Sequence, residues 1–173
     1  QDMILGSYYL TLEKPGEPGE GKAFRSVDEA TMAYDDGTIT LHSLIKIRMT
    51  KTINGVEYTR LVPTTLGKVI FNDPIPQDLG YVDRTDPEHE FDFEIGFLVG
   101  KKQLGKIIDR CVRKHGTAVT SEVLDKIKAQ GFKYSTKGAI TVSVSDAVIP
   151  PQKAEILANA EKKIDNITKQ YRR

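Results

Sequence analysis

Between Thr38 and Val62 the apolar residues fall largely on alternate positions, and on both sides of that stretch they recur at steps of three and four. The first spacing lines one face of a strand and the second one side of a helix. A chain patterned this way folds as helices around a small sheet. Ile39, Leu41, Ile45, Ile47 and Met49 share one face, while His42, Lys46 and Arg48 point the other way. Asn54-Gly55 marks the reversal, because both residue types accept the positive φ of a two-residue turn. Val56, Tyr58 and Val62 continue on the return strand. The pattern predicts a β-hairpin over about 38–62 and an α+β fold: short helices around a small antiparallel hairpin or sheet, then a helical segment and a long C-terminal helix of coiled-coil type.

The flanking segments give the rest of the organisation. In the opening "QDMILGSYYLT", Met3, Ile4, Leu5, Tyr8, Tyr9 and Leu12 fall on helical rows and are expected to form the buried face. "EKPGEPGEG" at 13–21 is a turn region. "SVDEATMAY" predicts a short helix, with Ser26 and Glu29 at capping-box spacing and "DDG" at 35–37 as its stop. "TTLGKVIFN" at 64–72 is ambiguous: a threonine cap favours a helix, and Val69, Ile70 and Phe71 favour a strand. Residues 73–94 hold eight carboxylates, from Asp73 to Glu94, against one arginine, and read as an acidic surface excursion. They lack the spacing and the glycine of a calcium loop.

In the second half, Leu104, Ile107, Ile108, Cys111, Val112 and His115 form one stripe closed by Gly116. Thr117 or Thr120 caps the next helix, with Val123, Leu124 and Ile127 inward and Gly131 as its end. "GFKYSTKGA" reads as a turn or short helix and "ITVSVSDAVI" as a strand. After Pro150-Pro151, Leu157, Ala160, Ile164, Ile167 and Tyr171 recur at the steps of a coiled-coil seam. The expected divisions are 1–100, an α+β part with the hairpin and the acidic loop at about 73–94; 101–149, helical with a strand; and 150–173, the terminal helix.

Little in the chain resembles self-contained chemistry. "GEPGEGKA" at 16–23 has the glycine and lysine spacing of a phosphate loop, but Ala23 replaces the hydroxyl that would hold magnesium, and a helix precedes it where a strand is needed. His42, His89 and His115 share no ligand spacing with one another or with Cys111, so no metal site is expected. The single cysteine, on an apolar stripe, fits a buried thiol in a reducing, cytoplasmic setting. The longest apolar runs are too short to span a membrane. A net charge of +1, from 25 basic and 24 acidic residues, gives no basic excess for free-standing nucleic-acid binding. In "GFKYSTKGAIT", by contrast, lysines and small hydroxyls beside glycines suit a surface lining a phosphate path.

Seven blocks carry a family resemblance: "QDMILGSYYLT", "SVDEATMAY", "LHSLIKIR", "TTLGKVIFN", "KKQLGKIIDRCVRKHG", "LDKIKAQGFKYSTKGAI" and "DAVIPPQKAEI". In this order they resemble bacterial RNA polymerase β′, the largest subunit, over nearly the whole chain. The resemblance implies the pore, or secondary-channel, region followed by the first rim helix of the funnel. It implies a stretch that begins just after the family's catalytic "NADFDGD" motif and stops part-way through the funnel coiled coil. Ser7 and Ala139 stand where the family usually has Leu and Gly, Ser145 replaces the first Asp of a common "IDD" and leaves Asp146, and 83–94 matches no block.

The implied role is part of a nucleotidyltransferase, walling the channel by which nucleoside triphosphates enter and backtracked RNA 3′ ends leave. Gln1, Asp2, Lys133, Thr136, Lys137, Thr141 and Asp146 are the expected channel-facing residues, with no catalytic residue among them. The magnesium of the parent enzyme would lie outside this stretch, which by itself should be inactive. Expected partners are the other polymerase subunits, DNA and RNA in the whole enzyme, and channel-entering factors docking on the terminal helix. That helix could also pair the chain into a homodimer. A stand-alone protein-interaction module is the alternative.

Overall fold

A computed structural model describes residues 1–53 and 55–172. The chain forms two compact units, Gln1–Ala139 and Ile140–Arg173. In the first, β1 (Ala23–Phe24), β2 (Ile45–Ile53) and β3 (Val56–Thr64) make a sheet in that order, with β1 parallel to β2 and β2 antiparallel to β3. The hairpin register runs from Ile45 opposite Thr64 to Ile53 opposite Val56. Gly55 takes the left-handed backbone the turn requires, with φ +81°. Asn54, its expected partner in the turn, lies outside the described residues. The hairpin is therefore present, but it starts at Ile45 rather than near Thr38.

That late start corrects the expected orientation of His42. Residues 38–44 form turns, in which the Ser43 hydroxyl accepts from the Thr40 N–H at 2.9 Å and donates to the Pro18 carbonyl at 2.8 Å. With no strand to alternate along, His42 turns inward and is only 4% exposed. Its Nε2 lies 2.8 Å from the Tyr9 carbonyl, and the two rings meet edge-on at 4.5 Å. Ile39, Leu41, Ile45 and Ile47 join the core as expected.

Helices α1 (Asp2–Thr11), α2 (Val27–Asp35) and α3 (Leu66–Asn72) surround the sheet. The Ser26 hydroxyl caps α2 by accepting from the Glu29 N–H at 3.2 Å. The threonine cap decides 64–72 for a helix: Thr65 accepts from the Lys68 N–H at 3.2 Å. The buried face of α1, however, is Gly6, Ser7, Leu10 and Thr11. The larger Ile4 and Tyr9 flank the core, and Tyr8 is exposed. Small residues face inward because α1 packs on a second helix at backbone distance.

That second helix is α4 (Lys101–Gly138), interrupted at Gly116, where φ is 77° and ψ 178°. Gly116 thus ends its stripe as expected, with Leu104, Ile107 and Cys111 buried. Val112, on the same expected stripe, is 38% exposed. In the second segment Val123 and Ile127 face the core, but Leu124 is also 38% exposed. Gly131 does not end the helix. A Cβ at Gly131 would stand 2.5 Å from the Met3 carbonyl oxygen, and one at Gly6 would stand 1.9 Å from the Gly131 oxygen. Glycine is here so that two backbones can touch, and the helix runs on to Gly138. Ala139 then ends it at φ 45°, a conformation that favours glycine.

The acidic stretch is only partly a surface excursion. Ile75, Leu79, Phe91 and Ile95 are in or beside the core, and Glu94 is 1% exposed. Asn72 anchors the stretch: its side-chain nitrogen donates to the Lys68 and Ile95 carbonyls at 2.9 Å, and its oxygen accepts from the Ile95 N–H at 3.0 Å.

The second unit holds a 3-10 turn (Val144–Asp146) and helix α5 (Lys153–Tyr171). The strand expected over 140–149 does not form. Val142, Val144 and Val148 are exposed, so its alternation faces no sheet. Local capping organises the segment instead: the Asp146 carboxylate accepts from the Ser143 N–H at 2.7 Å, and the Ser143 hydroxyl from the Ser145 N–H at 3.3 Å. No helix among the described residues is long and apolar enough to cross a membrane.

Candidate functional site

The crossing of α1 and α4 organises most of the expected channel-facing residues. Because Met3 and Gly6 lie against Gly131, the first turn of α1 is pinned beside the turn of α4 that precedes Lys133. A Cβ at Gly138 would meet the Tyr9 ring at 3.2 Å, which fixes the far end of the same contact. Gln1 and Asp2 start α1, exposed, with Asp2 in the first turn, where the helix dipole favours a carboxylate.

On α4, Lys133, Thr136 and Lys137 are exposed around Tyr134, which is 7% exposed. The Lys133 ammonium lies 5.5 Å from the Tyr134 ring centre and that of Lys137 lies 5.9 Å from it. Lys137 is also 6.0 Å from the ring of Tyr34, at the end of α2. Both distances are near the limit of useful cation–π attraction, so the rings steer the lysines without neutralising them. Burial, followed by the charges of Tyr34 and Asp35, raises the Tyr134 phenol above its ordinary pKa and keeps it protonated. Among the described residues no ion pair or side-chain hydrogen bond takes up either lysine. The Thr136 hydroxyl donates to the Phe132 carbonyl at 2.9 Å, a bond along its own helix.

This surface can offer two free ammonium groups on an aromatic footing to an anion such as a phosphate. Tyr34 was not legible as part of it, since only the fold brings the end of α2 to α4. Thr141 and Asp146 belong to the second unit. Thr141 is exposed, and the Asp146 carboxylate is engaged with the Ser143 backbone. Leu157, Ala160, Ile164, Ile167 and Tyr171 are all exposed along α5.

Elsewhere, His115 meets a partner the sequence did not indicate: its Nε2 is 2.7 Å from Asp78 Oδ1, with Lys114 3.2 Å from the other oxygen. Burial works to raise the Asp78 carboxyl, but the hydrogen bonds from His115 and Lys114 prevail and hold it below the ordinary carboxylate value. Cys111 is a buried free thiol. Among the described residues no three His, Cys, Asp or Glu side chains converge to hold a metal ion.

The comparisons with known proteins agree with the blocks read from the sequence. The family described as RNA polymerase Rpb1, domain 3, matches residues 1–147. The chain is 60% identical over 173 residues to DNA-directed RNA polymerase subunit beta' of Acetivibrio thermocellus. The identity is 58% to the subunit of Thermoanaerobacter pseudethanolicus and 57% to that of Clostridium acetobutylicum, in each case over the whole chain. The chain spans about 15% of the length of these relatives. A mixed fold closed by the α1–α4 crossing and a family match over all of that crossing lead to one assignment: the chain belongs to the RNA polymerase Rpb1 domain 3 family, in which its relatives are bacterial β′ subunits.

Proposed function

We propose that this chain forms part of the wall of the secondary channel in a DNA-dependent RNA polymerase, where nucleoside triphosphates enter and backtracked RNA 3′ ends leave. The observation that carries this reading is the 60% identity to a β′ subunit across all 173 residues. Supporting it are the two free lysines over Tyr134, which suit a passing triphosphate or RNA backbone. Gln1, Asp2 and Thr136 complete that surface on the first unit; Thr141 and Asp146 are channel-facing residues of the second unit, taken by itself. The role is architectural. Magnesium and the catalytic aspartates of the whole enzyme belong to other parts of the subunit. Other polymerase subunits, DNA and RNA are the partners of the assembled cytoplasmic enzyme, and factors entering the channel dock on α5.

The test is made in the assembled polymerase carrying this sequence. Lys133→Ala and Lys137→Ala should raise the nucleotide KM or slow cleavage of backtracked RNA by about two- to fivefold per lysine, the scale of a solvated charge contact. Promoter binding should be unchanged. A promoter defect with normal nucleotide entry and cleavage would overturn the assignment. The exposed seam of α5 favours a second reading, an interaction module that acts outside the polymerase. That reading is favoured if a free-standing form of the chain, and no polymerase, is recovered from the cell.

A further inference from the structure

One edge of the sheet is open, and the register shows which main-chain groups it presents. The Lys46 N–H donates to the Lys22 carbonyl at 2.9 Å, and the Leu44 carbonyl accepts from the Gly21 N–H at 2.7 Å. Even-numbered residues of this stretch therefore turn their main-chain groups toward β1. The odd-numbered residues, Ile45 to Ile53, bond to β3, where their partners are the even-numbered residues from Thr64 back to Val56. That leaves Glu57, Thr59, Leu61 and Pro63 with main-chain groups pointing away from the sheet. Glu57, Thr59 and Leu61 are exposed, and among the described residues their N–H and C=O groups have no hydrogen-bond partner. Pro63 has no N–H to offer and closes the edge at that end. Three donors and three acceptors thus stand in one row at strand spacing.

The side chains beside that row sort by face. Val56, Tyr58 and Arg60 share the face of the buried Ile47 and Val62, and Glu57, Thr59 and Leu61 share the opposite one. Val56, Tyr58 and Leu61 are each about half exposed, so apolar surface flanks the row on both faces. Arg60 donates through Nη1 to the Glu88 carbonyl, and among the described residues neither Arg60 nor Glu57 has an ion-pair partner. The pairing of β2 with β3 is continuous from one end to the other, without a bulge. A straight edge of this kind is a template for one more strand. A second copy of the chain fits it poorly. Two β3 edges joined about a two-fold at Thr59 would set Glu57 opposite Leu61 and Arg60 opposite Tyr58, and both charges would go unanswered.

We propose that the Glu57–Leu61 edge of β3 is the docking site for an extended strand of a different polypeptide, added antiparallel. That strand carries a carboxylate opposite Arg60 and a basic residue opposite Glu57. Apolar residues lie opposite Leu61 and Tyr58, and a β-branched residue opposite Thr59. Main-chain bonds supply the attachment and the alternate side chains supply the selection. Opposed pairs matched in this way are the ones that stabilise neighbouring strands. The inference rests on the hairpin alone and not on the polymerase assignment.

The test is amide hydrogen exchange by NMR on the full chain, alone and with the peptide acetyl-Val-Glu-Thr-Val-Lys-amide. In the free chain the amides of Glu57, Thr59 and Leu61 should exchange fast and those of Tyr58, Arg60 and Val62 slowly. The peptide should protect the first three saturably. Methylating the peptide's threonine nitrogen, which bonds to the edge, should abolish that protection, whereas methylating its glutamate nitrogen, which points away, should not. Exchanging the peptide's glutamate and lysine sets like charges opposite Arg60 and Glu57 and should weaken binding about threefold or more. Thr59→Pro removes one outward N–H and none of the bonds to β2. It should weaken binding about fivefold or more, with Tyr58 and Arg60 still protected. Equal protection of both amide sets in the free chain, or binding indifferent to methylation of the threonine nitrogen, would overturn the proposal. Equal binding of the charge-exchanged peptide would overturn the stated partner chemistry. Protection of Glu57, Thr59 and Leu61 that rises with chain concentration and no peptide would give the edge to a second copy, and that too would overturn it.

Discussion

At Gly131 the residue type is the same whether it ends a helix or lets another backbone approach, and only the fold distinguishes the two. Replacing it with alanine puts a methyl group 2.5 Å from the Met3 oxygen and 2.9 Å from the Met3 Cα, so the helices must separate. Gly131→Ala should cost about 1–3 kcal/mol in urea unfolding, the range for overpacking a filled interior. An unchanged midpoint would mean that α1 is not seated as described. His42 gives a pH-dependent expectation. Burial lowers its pKa below the ordinary histidine value, although the hydrogen bond to the Tyr9 carbonyl works the other way. The unfolded chain therefore takes up this proton first as pH falls. Stability from the neutral ring is complete above about pH 6.5 and is lost as pH drops from there through the lowered folded value. Thermal midpoints should fall across that window, and His42→Asn should remove the slope. A slope that survives the substitution belongs to another group. The sequence placed His42 outward because alternation was extended back to Thr38. What turns it inward is a tertiary bond to Tyr9, a residue distant in the chain.

Among the elements, the hairpin, α2 and the break at Gly116 were legible because each is written in adjacent residues: a period of two, a serine cap, a glycine at φ 77°. The face of α1 was not, since ranking residues by hydrophobicity overlooks glycine, serine and threonine as packing surface. On Thr11 the small side chain also bonds, accepting from the Val99 N–H at 2.9 Å. The supposed strand at 140–149 was misread for a related reason: alternation describes what a strand could bury, and among the described residues no neighbouring strand buries it. Helix α5 carries its own expectation. Its seam leaves Leu157 half exposed and Tyr171 90% exposed. Each large apolar side chain covered there is worth about 1.5–3 kcal/mol, and a lone helix of this length is marginal. The chain should self-associate by antiparallel pairing of α5, and Ile164→Glu should abolish it. Light scattering that finds a monomer with α5 ordered, or a dimer of Ile164→Glu, would refute pairing through this seam.

For the whole molecule, a net charge of +1 and the architectural role proposed above set the expected solution behaviour. The purified chain should incorporate no nucleotide on a template, with magnesium or without it, and should hold RNA weakly and in a salt-dependent way. Template-directed incorporation, or submicromolar RNA affinity at physiological salt, would contradict an architectural role. The lysines of the candidate surface were legible as a cluster because they stand in one short stretch, beside glycines and small hydroxyls. Their aromatic footing from Tyr34 was not, because it joins segments far apart in sequence. The Gly6–Gly131 contact also bears on how the protein is made. Nearly all of the first unit lies between those residues, so on the ribosome α1 emerges long before the helix it must touch. At about 5–20 residues per second the wait is roughly ten seconds. Throughout that interval the Gly6 end of α1 lacks the helix it closes on, and that part of the nascent chain stays open to chaperones and proteases until Gly131 clears the exit tunnel.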